Sequence, residues 1–203
     1  MTKLIGLTGR SGSGKGAVCN IFARHGIPSI DTDAVYHEIL ASKGPCTDEL
    51  VATFGKDVLD QNGVVDRKKL GATIFGKPNT SELLNSLNTI THKYIMTKTR
   101  EMVRALADAG ATAVLIDAPQ LFEAGVDREC DLILGIIASP ALCVERITKR
   151  DGIDHQAASR RLESQHDDAF FRTHCDAVIE NTADLEALER AVCQFMNEYG
   201  VGI

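Results

Sequence analysis

The chain has 203 residues, with 22 basic against 28 acidic side chains, so its formal net charge is −6. At 44% hydrophobic and 25% charged it has the composition of one globular domain with a sizeable core, which excludes a disordered, collagen-like or membrane class. The acidic balance argues against nucleic acid as a partner, because a broad grip on it needs a surplus of Lys and Arg to displace counterions from phosphates. The six cysteines (Cys19, Cys46, Cys130, Cys143, Cys175 and Cys193) form no Cys-x-x-Cys pair and fit reduced thiols in a cytoplasm. Residues 1–5 run into Gly-rich sequence without a signal-peptide core, and the apolar run 132–138 is too short to span a bilayer. A soluble cytoplasmic chain is expected, with no membrane partner and the monomer as the default state.

Residues 3–8 form an apolar run before a Gly-rich turn, which reads as a buried strand, and residues 17–24 carry a helical pattern closed by Gly26. Residues 27–30 read as a second strand. Residues 35–109 hold no strand pattern but several helical ones, broken at Gly44-Pro45, Asn62-Gly63 and Gly76-Lys77-Pro78, and so read as a helical insertion. Residues 112–116 and 131–137 are continuous, largely β-branched runs of the kind buried on both faces of a parallel sheet. Residues 146–173 are polar and dense in Arg, Asp and His, the composition of a helical lid or of a solvated helix face. A last strand at 177–179 and a helix at 185–199 close the chain. Strand and helix alternate, so the fold class is α/β, a doubly wound parallel five-stranded sheet. Its core would comprise residues 1–34, 110–145 and 174–203, with the insertion at 35–109 and the lid at 146–173.

Gly9-Arg10-Ser11-Gly12-Ser13-Gly14-Lys15 follows the first strand and opens a helix, the setting a phosphate-binding loop requires. Glycines let the backbone curl so that successive N–H groups point inward, the helix adds its positive end, and Lys15 reaches the outer phosphates. One position departs from the pattern. The residue after the lysine should carry a hydroxyl for Mg²⁺, and here Gly16 and Ala17 follow, neither able to ligate metal. A water held by Asp31 or Asp117 would have to fill that place.

Asp31-Thr32-Asp33 directly follows the second strand, at the carboxyl edge where open α/β folds bind ligands. In extended chain the two carboxylates would face one side, one for metal or its waters and one for taking a proton from an attacking hydroxyl. Asp33 as the N-cap of the next helix is the structural alternative. Asp117 ends an apolar strand, as a metal-holding acid does, or as a turn starter does. Arg146 and Arg150 are one helical turn apart and suit the oxygens of a transferring phosphoryl group, or else form a solvated pair. His25, His155, His166 and His174 have no metal-like spacing and read as surface residues.

Taken together, these pieces resemble the dephospho-coenzyme A kinases, within the P-loop nucleoside and nucleotide kinases. The resemblance rests on Leu7-Thr8-Gly9 through Lys15, Ile30-Asp31-Thr32-Asp33, Val65-Asp66-Arg67-Lys68-Lys69-Leu70 and Leu87-Asn88-Thr89-Ile90-Thr91-His92. It continues through Pro119-Gln120-Leu121-Phe122-Glu123, residues 146–152, Arg161-Leu162-Glu163-Ser164-Gln165 and Asp176-Ala177-Val178-Ile179-Glu180-Asn181. It implies transfer of the γ-phosphate of ATP, with Mg²⁺, to the ribose 3′-hydroxyl of dephospho-CoA, the last step of coenzyme A synthesis. Asp33 falls where the family has its general base. Gly9, Ser11, Gly12, Ser13, Gly14, Lys15, Gly16 and Ala17 would hold the phosphates, Asn181 would lie by the adenine, and Asp31 and Asp117 would support Mg²⁺ through water. His37, Arg67, His92, Phe122 and Glu123 would contact the acceptor, and Arg146 and Arg150 would approach the phosphates.

The chain also departs from the family pattern. Besides Gly16 and Ala17, Gln120 replaces a leucine, Lys93 replaces the proline after His92, and the glycine usual after Asn181 is missing. Two other functions stay open at this point: a P-loop kinase of another small alcohol or nucleotide, and an ATP- or CoA-binding sensor weakened in catalysis by Gly16.

Overall fold

A computed structural model describes residues 2–202 of the chain. The strands β1 (Lys3–Gly9), β2 (Ser29–Asp31), β3 (Ala113–Asp117), β4 (Leu132–Ile137) and β5 (Ala177–Glu180) form one five-stranded sheet in the order β2-β3-β1-β4-β5. The helices are, in chain order, α1 (Lys15–Arg24), α2 (Thr32–Leu40), α3 (Pro45–Phe54), α4 (Arg67–Ile74), α5 (Thr80–Asp108), α6 (Pro140–Asp151), α7 (His155–Glu163), α8 (Asp168–His174) and α9 (Leu185–Glu198). Two compact units divide these elements: Met1–Ile30 with Val103–Ile203, and Asp31–Met102.

In the first unit β1 pairs in parallel with β3 on one side and β4 on the other, and β4 pairs in parallel with β5. Central parallel strands are covered on both faces, which is why β1, β3 and β4 are unbroken apolar runs. Ile5 and Leu7 of β1, Leu115 of β3 and Leu134 and Ile136 of β4 share a core with Val18, Ile21 and Phe22 of α1 and Leu188, Val192 and Phe195 of α9. The rings of Phe22 and Phe195 meet edge to face with centroids 6.3 Å apart, fixing α1 against α9. The chain leaves β1 toward β2 and β3 on one side of the sheet and later crosses to β4 and β5 on the other. The end of β1 is therefore the switch point where this architecture binds ligands.

The second unit contains α2, α3, α4 and most of α5 around its own core of Leu40, Leu50, Val58, Leu70, Ile74 and Ile90. Its breaks follow the turn chemistry: Gly44 begins α3, and the Asp60 carboxylate accepts from the amides of Asn62 and Val64 at 2.8 and 3.1 Å to close the Asn62-Gly63 turn.

Two expectations change. The second strand begins at Ser29 rather than residue 27, because Pro28 has no N–H for the ladder and contributes only its carbonyl, which accepts from Leu115 N at 2.9 Å. The extended chain stops at Asp31, which ends β2 and caps α2, while Thr32 and Asp33 already lie in the helix, so the extended-chain argument for two carboxylates on one side does not hold. Residues 146–173 cluster with the sheet unit, and Arg146 and Arg150 lie within α6, which starts at Pro140. Among the described residues no helix is long and apolar enough to cross a membrane.

Candidate active site

The turn between β1 and α1 is built on glycines at positive φ. Gly12 and Gly14 have φ of 79° and 105°, and a Cβ on them would lie 2.5 Å from Cys143 O and 2.1 Å from Asn181 Nδ2. Only glycine fits there. Gly14 is the N-cap of α1 and offers no side-chain cap. The amides of Ala17 and Val18 bond to Gly14 O at 3.0 and 3.3 Å, and Ser13 N bonds to Arg10 O at 3.1 Å. Helix geometry gives the amides of Gly14, Lys15 and Gly16 no intrahelical carbonyl, so they form the positive mouth that receives a phosphate. Lys15 Nζ donates to Gly9 O at 3.1 Å, which lays its charge across this loop.

The loop is braced from outside. Arg146 Nη1 donates to the carbonyls of Gly12 and Ser13 at 3.2 and 3.3 Å, and its Nη2 to Asn181 O at 3.5 Å. The buried Asn181 side chain donates to the same Ser13 carbonyl at 2.8 Å. Turning carbonyls outward onto these donors is what leaves the amides facing inward. Arg146 and Asn181 thus act on the loop backbone. Arg150 Nη2 reaches Ser11 Oγ at 3.4 Å, while its Nε and Nη2 grip Asp151 at 2.6 and 2.9 Å. That bidentate bond, with Arg161 on the same carboxylate, holds the Asp151 carboxyl below the usual range.

Asp117 ends β3, and its Oδ2 accepts from the Cys19 thiol at 3.7 Å, one helical turn beyond Lys15. Burial, reinforced by the Asp117 charge, pushes the Cys19 thiol up to about 12, so it stays protonated and keeps donating. Sequence reasoning could not pair these two, which stand 98 positions apart.

Phe122 and Glu123 engage α8 and the turn before it. Phe122 meets Phe170 edge to face at 5.2 Å, and Glu123 pairs with His166 at 3.2 Å. The His166 and His174 rings stack on Phe170 with centroids 3.6 and 4.0 Å away, so these two exposed histidines are part of an aromatic cluster.

In the second unit Asp31 Oδ1 accepts from the amides of Asp33 and Ala34 at 2.9 and 3.2 Å, capping α2. Asp33 therefore is not the cap. It stands exposed in the first turn of α2, and His37 is exposed one turn later. Arg67, the first residue of α4, opposes the upward shift that burial gives the Tyr36 hydroxyl. Tyr36 is thus within electrostatic reach of Arg67, a proximity that no sequence motif marks. His92 lies part-buried on α5.

The donor set fits Mg²⁺ that arrives on a nucleotide rather than in a protein cage. Among the described residues no group of three or more His, Cys, Asp or Glu is arranged to hold a metal, and Mg²⁺ usually keeps waters and phosphate oxygens as ligands. Gly16 is exposed and helical, and a Cβ there would meet nothing within 4 Å. Its missing hydroxyl is therefore not imposed by packing.

A phosphate loop at the switch point of a parallel sheet, braced by arginines from α6, defines a P-loop kinase. The dephospho-CoA kinase family model matches residues 3–187. The chain is 35% identical over 192 residues to the dephospho-CoA kinase of Fusobacterium nucleatum, covering 95% of this chain and 96% of that one. Among solved structures, a Thermus thermophilus protein superposes with TM-score 0.78 at 29% identity, covering 97% of each chain. The dephospho-CoA kinase from Campylobacter jejuni does so with TM-score 0.71 at 25% identity, covering 98% of each. The chain belongs to the dephospho-CoA kinase family.

Proposed function

We propose that this kinase transfers the γ-phosphate of ATP to the ribose 3′-hydroxyl of dephospho-CoA, giving coenzyme A and ADP, and works as a cytoplasmic monomer. The observation that carries the reading is the uncapped N-terminus of α1 behind its glycine loop, in a chain whose family match runs over residues 3–187.

In the sheet unit, the amides of Gly14, Lys15 and Gly16, with the Lys15 side chain, hold the β- and γ-phosphates. Arg150 lies beside Ser11, close enough to the loop to take up charge on the transferring group, while Arg146 and Asn181 keep the loop curled. In the second unit, Asp33 accepts the proton of the acceptor hydroxyl. Arg67, His37 and His92 bind the acceptor, a role that Phe122 and Glu123 share from the sheet unit. Mg²⁺ arriving with the nucleotide would neutralise phosphate charge, and Asp31 and Asp117 are the carboxylates that would hold its waters. The polar helices of residues 146–173 serve as the lid that excludes water.

The test is ADP release by the purified chain with ATP and Mg²⁺, offered dephospho-CoA, adenosine, AMP or no acceptor. Turnover with dephospho-CoA alone is expected. Equal turnover with adenosine or AMP, or none with any acceptor while ATP still binds, would overturn the reading.

A further inference from the structure

The loop has a second set of outside partners besides Arg146 and Asn181. Ser11 N donates to Gln165 Oε1 at 2.9 Å, although 154 positions separate the two. Arg10 Nη2 donates to Leu162 O at 3.0 Å, and Arg10 Nη1 lies 3.7 Å from Asp168 Oδ1. The Arg10 side chain is only 11% exposed, so this guanidinium is packed into the α7–α8 turn rather than waving in solvent. Leu162, Gln165 and Asp168 thus grip the two residues that enter the loop, and Arg146 and Asn181 grip the two carbonyls that follow.

We propose that Gln165 and Arg10 are positioning residues: they latch the N-terminal arm of the phosphate loop to the α7–α8 turn and hold it in the curl that receives a nucleotide. A loop that turns on Gly9, Gly12 and Gly14 at positive φ has many open conformations available, and glycine is the residue that gives up most freedom when one is selected. Whatever fraction of molecules holds the receptive curl scales the apparent affinity, for ATP and ADP alike. Gln165 uses only its carbonyl oxygen, so a carboxylate of the same reach can replace it beside Arg10. The inference rests on the chain being a P-loop kinase and not on the identity of the acceptor.

The experiment is ADP affinity by calorimetry, without acceptor, on the full chain and on Gln165→Ala, Gln165→Glu and Arg10→Met. Amide exchange of the loop and thermal unfolding are followed in parallel. The Ala and Met variants are expected to bind ADP about 3- to 10-fold more weakly, the worth of about one hydrogen bond, with faster exchange across residues 9–14. Gln165→Glu should recover wild-type affinity to within about twofold, since its oxygen accepts the same amide. A purely structural role would lower the melting temperature without moving ADP affinity. Unchanged affinity in both the Ala and Met variants, or a Glu variant as weak as the Ala variant, would overturn the latch. None of these readouts depends on whether dephospho-CoA is phosphorylated.

Discussion

At the end of β1 the chain enters α1 through Gly12 and Gly14 at positive φ, with no side-chain cap. At the end of β2 it enters α2 through Asp31, whose carboxylate accepts from two amides of the first turn. Both junctions follow a strand and face the same problem, a helix N-terminus with unsatisfied amides and a positive end. The second solves it internally, as do Asp66 at α4, Ser139 at α6, Asp154 at α7, Asp167 at α8 and Asp184 at α9. The first leaves the place to an anion from outside. α3 also begins at a glycine, Gly44, without a side-chain cap, but Pro45 opens its first turn and no glycine loop precedes it; at α1 the omission stands behind such a loop, and Arg146 braces the loop from outside.

The sharpest way to break this contrast is Gly14→Ala. The added methyl would sit 2.1 Å from Asn181 Nδ2 at a φ of 105°, so the loop must move. A displacement of about 1 Å at such a site costs about 100-fold. Steady-state kinetics should give a kcat/KM for ATP lower by that order, and a value within about threefold of wild type would show that the curl is not needed. Next is Gly16→Ser, which enters open space and supplies the hydroxyl that the loop lacks. The Mg²⁺ concentration for half-maximal rate should fall about tenfold, while an unchanged requirement would mean that waters and phosphates already satisfy the ion. The smallest effect belongs to the capped junction. Asp31→Ala should cost about 1 kcal/mol, seen as a melting temperature lower by about 2–4 °C. Asp31→Ser should restore the cap, and with it the stability, while removing the charge proposed to support Mg²⁺ waters.

Much of this was legible in the chain. The glycine spacing before Lys15 and the strand ahead of it specify the phosphate loop, because each residue in the motif has its own geometric task. The apolar runs of β3 and β4 declare strands covered on both faces. What was misread is local. Asp31 and Asp33 looked like alternating residues of an extended chain, but a carboxylate two and three residues before free amides folds back on them and starts a helix. Pro28 likewise removed a ladder donor that the apolar pattern around it implied. The illegible part is long-range: Gln165 on Ser11, Arg146 on Gly12 and Cys19 on Asp117 are bonds to backbone or single side chains across 98 to 154 positions. Such pairs have no periodicity and leave no mark in one sequence. The charge of Arg146 is visible in the sequence, whereas its three carbonyl partners, on Gly12, Ser13 and Asn181, are not.

The proposed division of labour between the two junctions, nucleotide at α1 and proton transfer at α2, is tested most directly by Asp33→Asn. The variant keeps the shape of the first turn and removes only the carboxylate proposed to accept the proton. ATP affinity by calorimetry should stay within about twofold of wild type, while kcat with dephospho-CoA falls by about 10² to 10⁴. A variant that keeps near-wild-type turnover, or that loses ATP affinity in step with rate, would contradict the account.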